Sequence, residues 1–172
     1  VGTIFQDRIP SVAAFQLPFL FTDYDQARAA LYEGDYGYQL IGDVASLGFT
    51  VNGIVPDGFR VMTMNKKVES LADMHGLKMR MPNLEIMVEI GNYLGFAVTP
   101  MSMTEVFSAL EQGVIDGQEN PPSTIRSQGW YEIQDYLLVS NHVFTSLFLC
   151  VNNDFYNSLD SELQNILDEV ID

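Results

Sequence analysis

Residues 76–122 read GLKMRMPNLEIMVEIGNYLGFAVTPMSMTEVFSALEQGVIDGQENPP. Apolar and polar residues alternate through LKMRMP (77–82), a strand pattern that stops at Pro82. That alternation sets Lys78 and Arg80 on one face. NLEIMVEIGNYLG (83–95) then changes to helical spacing and closes on Gly95. AVTPM (97–101) is a short strand. In SMTE (102–105), Ser102 and Glu105 form a capping box for the helix VFSALEQ, which Gly113 ends. VID (114–116) is expected as a strand running into the loop GQENPP. Strands and helices that alternate across short connections predict an α/β fold with a largely parallel sheet. Ligands of such sheets sit beyond the carboxyl ends of the strands. Arg80 is near one such end, and Gln118–Asn120 are expected just past another.

The flanking segments extend the pattern. In SVAAFQLPFLF (11–21), Pro18 limits any helix. Asp23 opens a helix-like run that closes at Gly34, and a second run from Asp35 stops at Gly48. FTVNGIV (49–55) reads as a strand, Pro56-Asp57-Gly58 as a turn, and FRVMTMN (59–65) as a strand with Arg60, Met62 and Met64 on one face. Ser70 caps a short helix that Gly76 closes. WYEIQDY is expected as a helix, followed by strands in LLVS and TSLFLCVN. A final amphipathic helix from Ser161 turns Leu163, Ile166, Leu167 and Val170 inward.

Composition excludes several classes. The 172 residues carry 23 acidic and eight basic side chains, a formal net charge of −15. Binding nucleic acid needs many cations to neutralise phosphates, and an anionic membrane surface repels such a chain. No stretch approaches 18 consecutive apolar residues, so direct membrane insertion is not expected. Cys150 stands alone, and His75 and His142 lack ligand-like spacing, so neither a disulfide framework nor a metal site is expected. No P-loop or GxGxxG occurs, and no cofactor is implied.

Five of the eight cations nevertheless fall within residues 60–80: Arg60, Lys66, Lys67, Lys78 and Arg80, against Glu69 and Asp73. In an acidic chain, such an island suits a small anion that is captured locally. Arg80 is the strongest candidate, because a planar guanidinium fits a carboxylate through two parallel hydrogen bonds. The competing reading pairs it with a neighbour such as Glu85. Arg60 belongs to the same island. Asn120 reads on its own as the cap of a helix beginning at Pro121 or Pro122. Asp116 and Glu119 invite an acid/base pair, but no activated nucleophile accompanies them, so no catalytic residue is assigned.

GLKMRMPN (76–83), TPMSMTEVFSALEQGVIDGQENPP (99–122) and YEIQDYLLVSNH (131–142), with LPFLF (17–21) and DGFR (57–60), resemble the extracytoplasmic solute-binding subunits of TRAP transporters, the DctP type. The resemblance implies a two-lobed periplasmic-binding-protein-like fold. Residues 1–57 would be part of lobe one, 58–145 most of lobe two, and 146–172 a return to lobe one. Members of the family are nearly twice this length. The opening strands of lobe one and a C-terminal helical region are therefore expected to be missing, with a signal peptide upstream of Val1. In the family, the lobes close on a small organic acid, which is handed to a membrane permease in the periplasm. By resemblance, Arg80 clamps the ligand carboxylate, Arg60 and Asn120 add contacts, and Asn83 and Met103 face the ligand. C4-dicarboxylates, sugar acids such as sialic acid, and 2-oxo acids all remain open. A ligand-sensing domain that uses the same cleft is the alternative.

Overall fold

The computed structural model describes residues 5–169. In chain order the elements are α1 (Pro10–Phe15), α2 (Tyr24–Tyr32), α3 (Asp35–Ala45), β1 (Phe49–Phe59), β2 (Val61–Met64), α4 (Leu71–Met74), β3 (Lys78–Met81), α5 (Glu85–Tyr93) and β4 (Ala97–Pro100). A 3-10 turn at Met103–Glu105 leads into α6 (Val106–Glu111), β5 (Gly117–Asn120) and α7 (Pro122–Ser127). A second 3-10 turn at Trp130–Glu132 precedes β6 (Tyr136–Leu138), β7 (Phe144–Asn152), α8 (Asn153–Ser158) and α9 (Ser161–Glu169). The chain divides into two compact units, Phe59–Val143 and the segments on either side of it.

The outer unit combines α1–α3, α8 and α9 with a two-stranded sheet of β1 and β7. Its core is aromatic. Phe15 meets Phe21 and Phe144 at centroid distances of 5.0 and 6.1 Å, and Phe5 meets Phe148 at 5.8 Å. Asp23 caps α2 by accepting the Gln26 N–H at 2.8 Å. The anticipated turn at 56–58 does not form. β1 runs on to Phe59, Gly58 supplies a φ of +116° that side chains disfavour, and the strand breaks only at Arg60. On α9, Leu163 and Ile166 are exposed rather than inward-facing, while Val170 lies outside the described residues.

The Phe59–Val143 unit is built on a five-stranded sheet in the order β4-β3-β5-β2-β6. β3 runs parallel to β4 and β5, whereas β2 runs antiparallel to β5 and β6, so the sheet is mixed. The strand expected at 114–116 sits instead at Gly117–Asn120. The Val114 and Ile115 N–H groups remain bonded to Ala109 O at the end of α6, and pairing starts when the Asp116 N–H reaches Lys78 O at 2.7 Å. Gly117 permits this close approach, since a Cβ there would lie 2.5 Å from Thr63 O. WYEIQDY forms only a single 3-10 turn before β6, not a helix.

Strand alternation separates the two faces of this sheet. Met62, Met64, Met79 and Met81 point to one face, where they bury against Met87 and Ile90 of α5 and against Met74, Leu77 and Phe96. On the other face, Val61 packs with Val106, Ala109 and Leu110 of α6, and with Ile115, Ile125 and Trp130. Both faces are therefore covered, which explains why all four residues of β2 are buried.

Candidate functional site

The topology brings the ends of four strands together. β4, β3 and β5 are parallel neighbours, so their carboxyl ends share one edge of the sheet. β2 is antiparallel, and its first residue, Val61, lies opposite Asn120, so the start of β2 reaches the same edge. Asn120 ends β5 and Arg60 immediately precedes β2. Asn83 follows β3 by two residues, and Met103 opens the turn after β4. Arg80 sits one residue before the end of β3. All five candidates therefore gather at one end of one sheet. Arg60, Arg80 and Asn120 are buried within it, while Asn83 and Met103 are exposed beside it.

The two arginines differ in how their charge is met. Arg60 is 5% exposed and is committed to Glu119. Its Nε donates to Glu119 Oε2, and its Nη2 donates to Oε1 at 2.8 Å and to the Glu119 backbone O at 2.9 Å. Glu119 also faces His142 Nε2 at 3.3 Å, while Ser140 Oγ holds the other ring nitrogen at 2.8 Å. Burial alone would push the Glu119 carboxyl up. The Arg60 charge and the hydrogen bonds from His142 and Arg60 outweigh burial and hold its pKa down at about 2. Glu119 lies opposite Met62, so this ion pair is set into the methionine face.

Arg80 is 3% exposed, and no carboxylate is paired with it among the described residues. Its Nε and Nη2 donate to a single acceptor, Met101 O, at 3.1 and 2.9 Å. That carbonyl occupies one side of the guanidinium fork and leaves the Nη1/Nη2 end to another acceptor. Burial lowers its pKa to about 10; the field of Glu119 opposes the shift, and the neighbouring Arg60 charge adds to it. Glu85, the neighbour that the competing reading offered, is exposed at the start of α5 and does not pair with Arg80. Lys78 shares the face of Arg80 but stays exposed, reaching Gly113 O at 3.4 Å.

Asn120 is not a helix cap. It is the last residue of β5, and Pro121 occupies the N-cap position of α7. Its Nδ2 donates to Gln118 Oε1 at 2.8 Å, and Gln118 Nε2 donates to Thr63 Oγ1 at 2.9 Å. Thr63, Gln118, Arg80 and Thr99 are successive cross-strand partners, which makes a polar row across the sheet face opposite the methionines. Sequence reading placed Gln118 past a strand end rather than inside β5, because a polar run after a Gly reads as a loop, and it gave Thr63 no role beyond its strand. Neither acid considered for catalysis is free. Asp116 accepts the Lys78 N–H at 2.9 Å and lies 3.5 Å from Lys66 Nζ, and Glu119 is locked as described. A cavity of about 470 Å³ opens beside α7 and β6, and it meets the polar row only at Thr63.

A family model, bacterial extracellular solute-binding protein family 7 (DctP), matches residues 2–172. The chain belongs to the DctP family. Its fold is that of the TRAP periplasmic solute-binding proteins. The C4-dicarboxylate-binding periplasmic protein DctP of Rhodobacter capsulatus is 32% identical over 91% of this chain and 47% of its own length. The sialic acid-binding periplasmic protein SiaP of Vibrio cholerae is 30% identical over 95% of this chain and 51% of its own length. A TRAP periplasmic solute-binding protein of Haemophilus influenzae, solved with bound L-gulonate, superimposes with a TM-score of 0.90 at 32% identity, covering 98% of this chain and 55% of that one. The chain spans about half the length of the curated relatives it matches. Among the described residues, no helix is long and apolar enough to cross a membrane.

Proposed function

We propose that this chain binds a small organic acid outside the cytoplasm, in the periplasm, and delivers it to the membrane subunits of a TRAP-type permease. In this reading the Phe59–Val143 unit is most of lobe two, and the remainder belongs to lobe one. Arg80 clamps the ligand carboxylate with the Nη1/Nη2 end of its guanidinium. Asn120 contributes its amide from the end of β5. Arg60 contributes Nη1 and positive potential, its other edge being held by Glu119. Asn83 and Met103 line the approach from the loops after β3 and β4.

The observation that carries this reading is the state of Arg80. A buried guanidinium costs solvation free energy, and a lone carbonyl returns little of it. An arriving carboxylate would supply the missing charge in a low-dielectric setting, where ion pairs are strong. The role is binding without turnover, because Asp116 and Glu119 are both engaged in structural contacts.

A thermal-shift panel of small carboxylates, run beside Arg80→Ala, tests the proposal. A ligand at 100 times its Kd adds about 2.7 kcal/mol of stability, which raises Tm by a few degrees. One or more acids should shift the native protein and leave the variant unmoved. Equal shifts in both would refute the clamp.

A further inference from the structure

The cavity of about 470 Å³ beside α7 and β6 lies within the Phe59–Val143 unit and apart from the carboxylate site. Neither Arg60 nor Arg80 lines it, and neither does Asn120. Thr63 and Leu137, which do, are direct partners in the β2–β6 ladder. Their side chains therefore stand together on the sheet face opposite the methionines. α7 adds Ile125 and Arg126, and the segment between α7 and β6 adds Gln134 and Asp135.

Apolar surface and one charge of each sign meet in this cavity. Ile125, Leu137 and Tyr136 supply apolar contact. Arg126 and Asp135 are exposed, and neither has an ion-pair partner among the described residues. Both charges are open to a ligand, and together they cancel. A simple anion or cation would meet one of them and be repelled by the other. A molecule that carries both signs meets both, and it escapes the long-range repulsion that a net charge of −15 exerts on anions.

Gln134 adds a third signal. It is 9% exposed, its Nε2 reaches Asn65 Oδ1 at 2.7 Å, and its Oε1 has no partner among the described residues. Turning both amides over exchanges donor and acceptor but still leaves one end of Gln134 unpaired. An α-amino acid carries a donor and an acceptor on one carbon, its ammonium and its carboxylate, and so suits either arrangement.

We infer that this cavity is a second ligand site, for a free α-amino acid with an apolar side chain. The side chain lies against Ile125, Leu137 and Tyr136, the carboxylate pairs with Arg126, and the ammonium pairs with Asp135. Exposed ion pairs add only a few-fold each, so the affinity expected is about millimolar.

Amide NMR titration of the full chain with L-phenylalanine and L-leucine tests it. Two comparators are 3-phenylpropanoate, which lacks the ammonium, and phenethylamine, which lacks the carboxylate. The amino acids should cause saturable shifts within residues 122–126 and 131–137. Phenylalanine should bind about threefold or more tightly than either comparator. Arg126→Met should lower phenylalanine to the level of phenethylamine without weakening phenethylamine itself. Asp135→Asn should lower phenylalanine to the level of 3-phenylpropanoate without weakening that acid. Both side chains are exposed, so neither change threatens the core. Equal affinity for all three phenyl compounds, or no saturable shift with either amino acid up to about 20 mM, overturns the inference. Shifts confined to the surroundings of Arg80 and Asn120 overturn it too, because they would put the amino acid on the carboxylate site instead.

Discussion

Arg60 and Arg80 lie at the same end of one sheet, stand 20 positions apart in sequence, and are buried to nearly the same degree. Arg60 has a full counter-ion in Glu119, reached by three hydrogen bonds. Arg80 has one carbonyl. Burial alone therefore does not tell how an arginine's charge is met. The distinction lies in what neutralises the charge. A cation paired within the fold keeps only its remaining edge open, as Arg60 does with Nη1, whereas a buried cation without a carboxylate partner keeps its charge open to an anion from outside.

The largest expected effect tests the structural half of this contrast. Arg60→Met leaves Glu119 a buried carboxylate with His142 as its remaining hydrogen-bond partner among the described residues. Breaking a buried pair in this way costs about 3–5 kcal/mol. Denaturant unfolding should show that loss in the unliganded protein, whereas a change below about 1 kcal/mol would mean the pair is not the anchor described here.

The acid limb of the stability curve gives the next largest effect. The Glu119 carboxyl titrates near 2 in the fold against an ordinary value of 4.5. A depressed carboxyl contributes stability above its unfolded pKa and loses it as pH falls toward the folded one. About 3 kcal/mol should therefore disappear between roughly pH 5 and pH 2. Glu119→Gln should flatten that part of the curve, and an unchanged acid limb in the variant would assign the loss to other carboxylates.

Gly117→Ala should cost a comparable or smaller amount, about 1–3 kcal/mol, because the new methyl would meet Thr63 O at 2.5 Å. Since Gly117 begins the strand that carries Gln118 and Asn120, ligand affinity should fall along with stability. Fully retained affinity would show that the register of β5 does not matter to the site.

Arg80→Met should have the smallest effect on the unliganded fold. It removes an uncompensated cation and frees one carbonyl, two changes of opposite sign. Unfolding free energy should stay within about 1 kcal/mol of the native value. A loss as large as that of Arg60→Met would erase the contrast between the two arginines.

Much of this arrangement was legible in the sequence, for local reasons. The capping box at 102–105 was readable because its partners lie three residues apart, and the Ser102 N–H donates to Glu105 at 3.0 Å; the Ser70 cap proves to be a second such box, with its N–H donating to Asp73 at 2.8 Å. The strand carrying Arg80 was readable because its methionines alternate with its cations. The GQEN strand was not. A strand of polar residues looks like a loop unless its side chains find partners across the sheet, and those partners, Thr63 for Gln118 and Arg60 for Glu119, lie 55 and 59 residues away. No spacing rule links residues so far apart. The same limit hid the antiparallel entry of β2, because strand direction depends on pairing that local pattern does not encode. His142 has no ligand-like spacing in the sequence, and its contact with Glu119 came only with the fold.

The most direct measurement is a calorimetric titration of L-gulonate and succinate into the native protein, Arg80→Met and Arg60→Met, with unfolding followed on the same samples. The account expects Arg80→Met to keep its fold and lose at least about 2 kcal/mol of carboxylate binding, roughly thirtyfold in Kd. It expects Arg60→Met to lose stability first. Undiminished carboxylate binding in a folded Arg80→Met protein would contradict it.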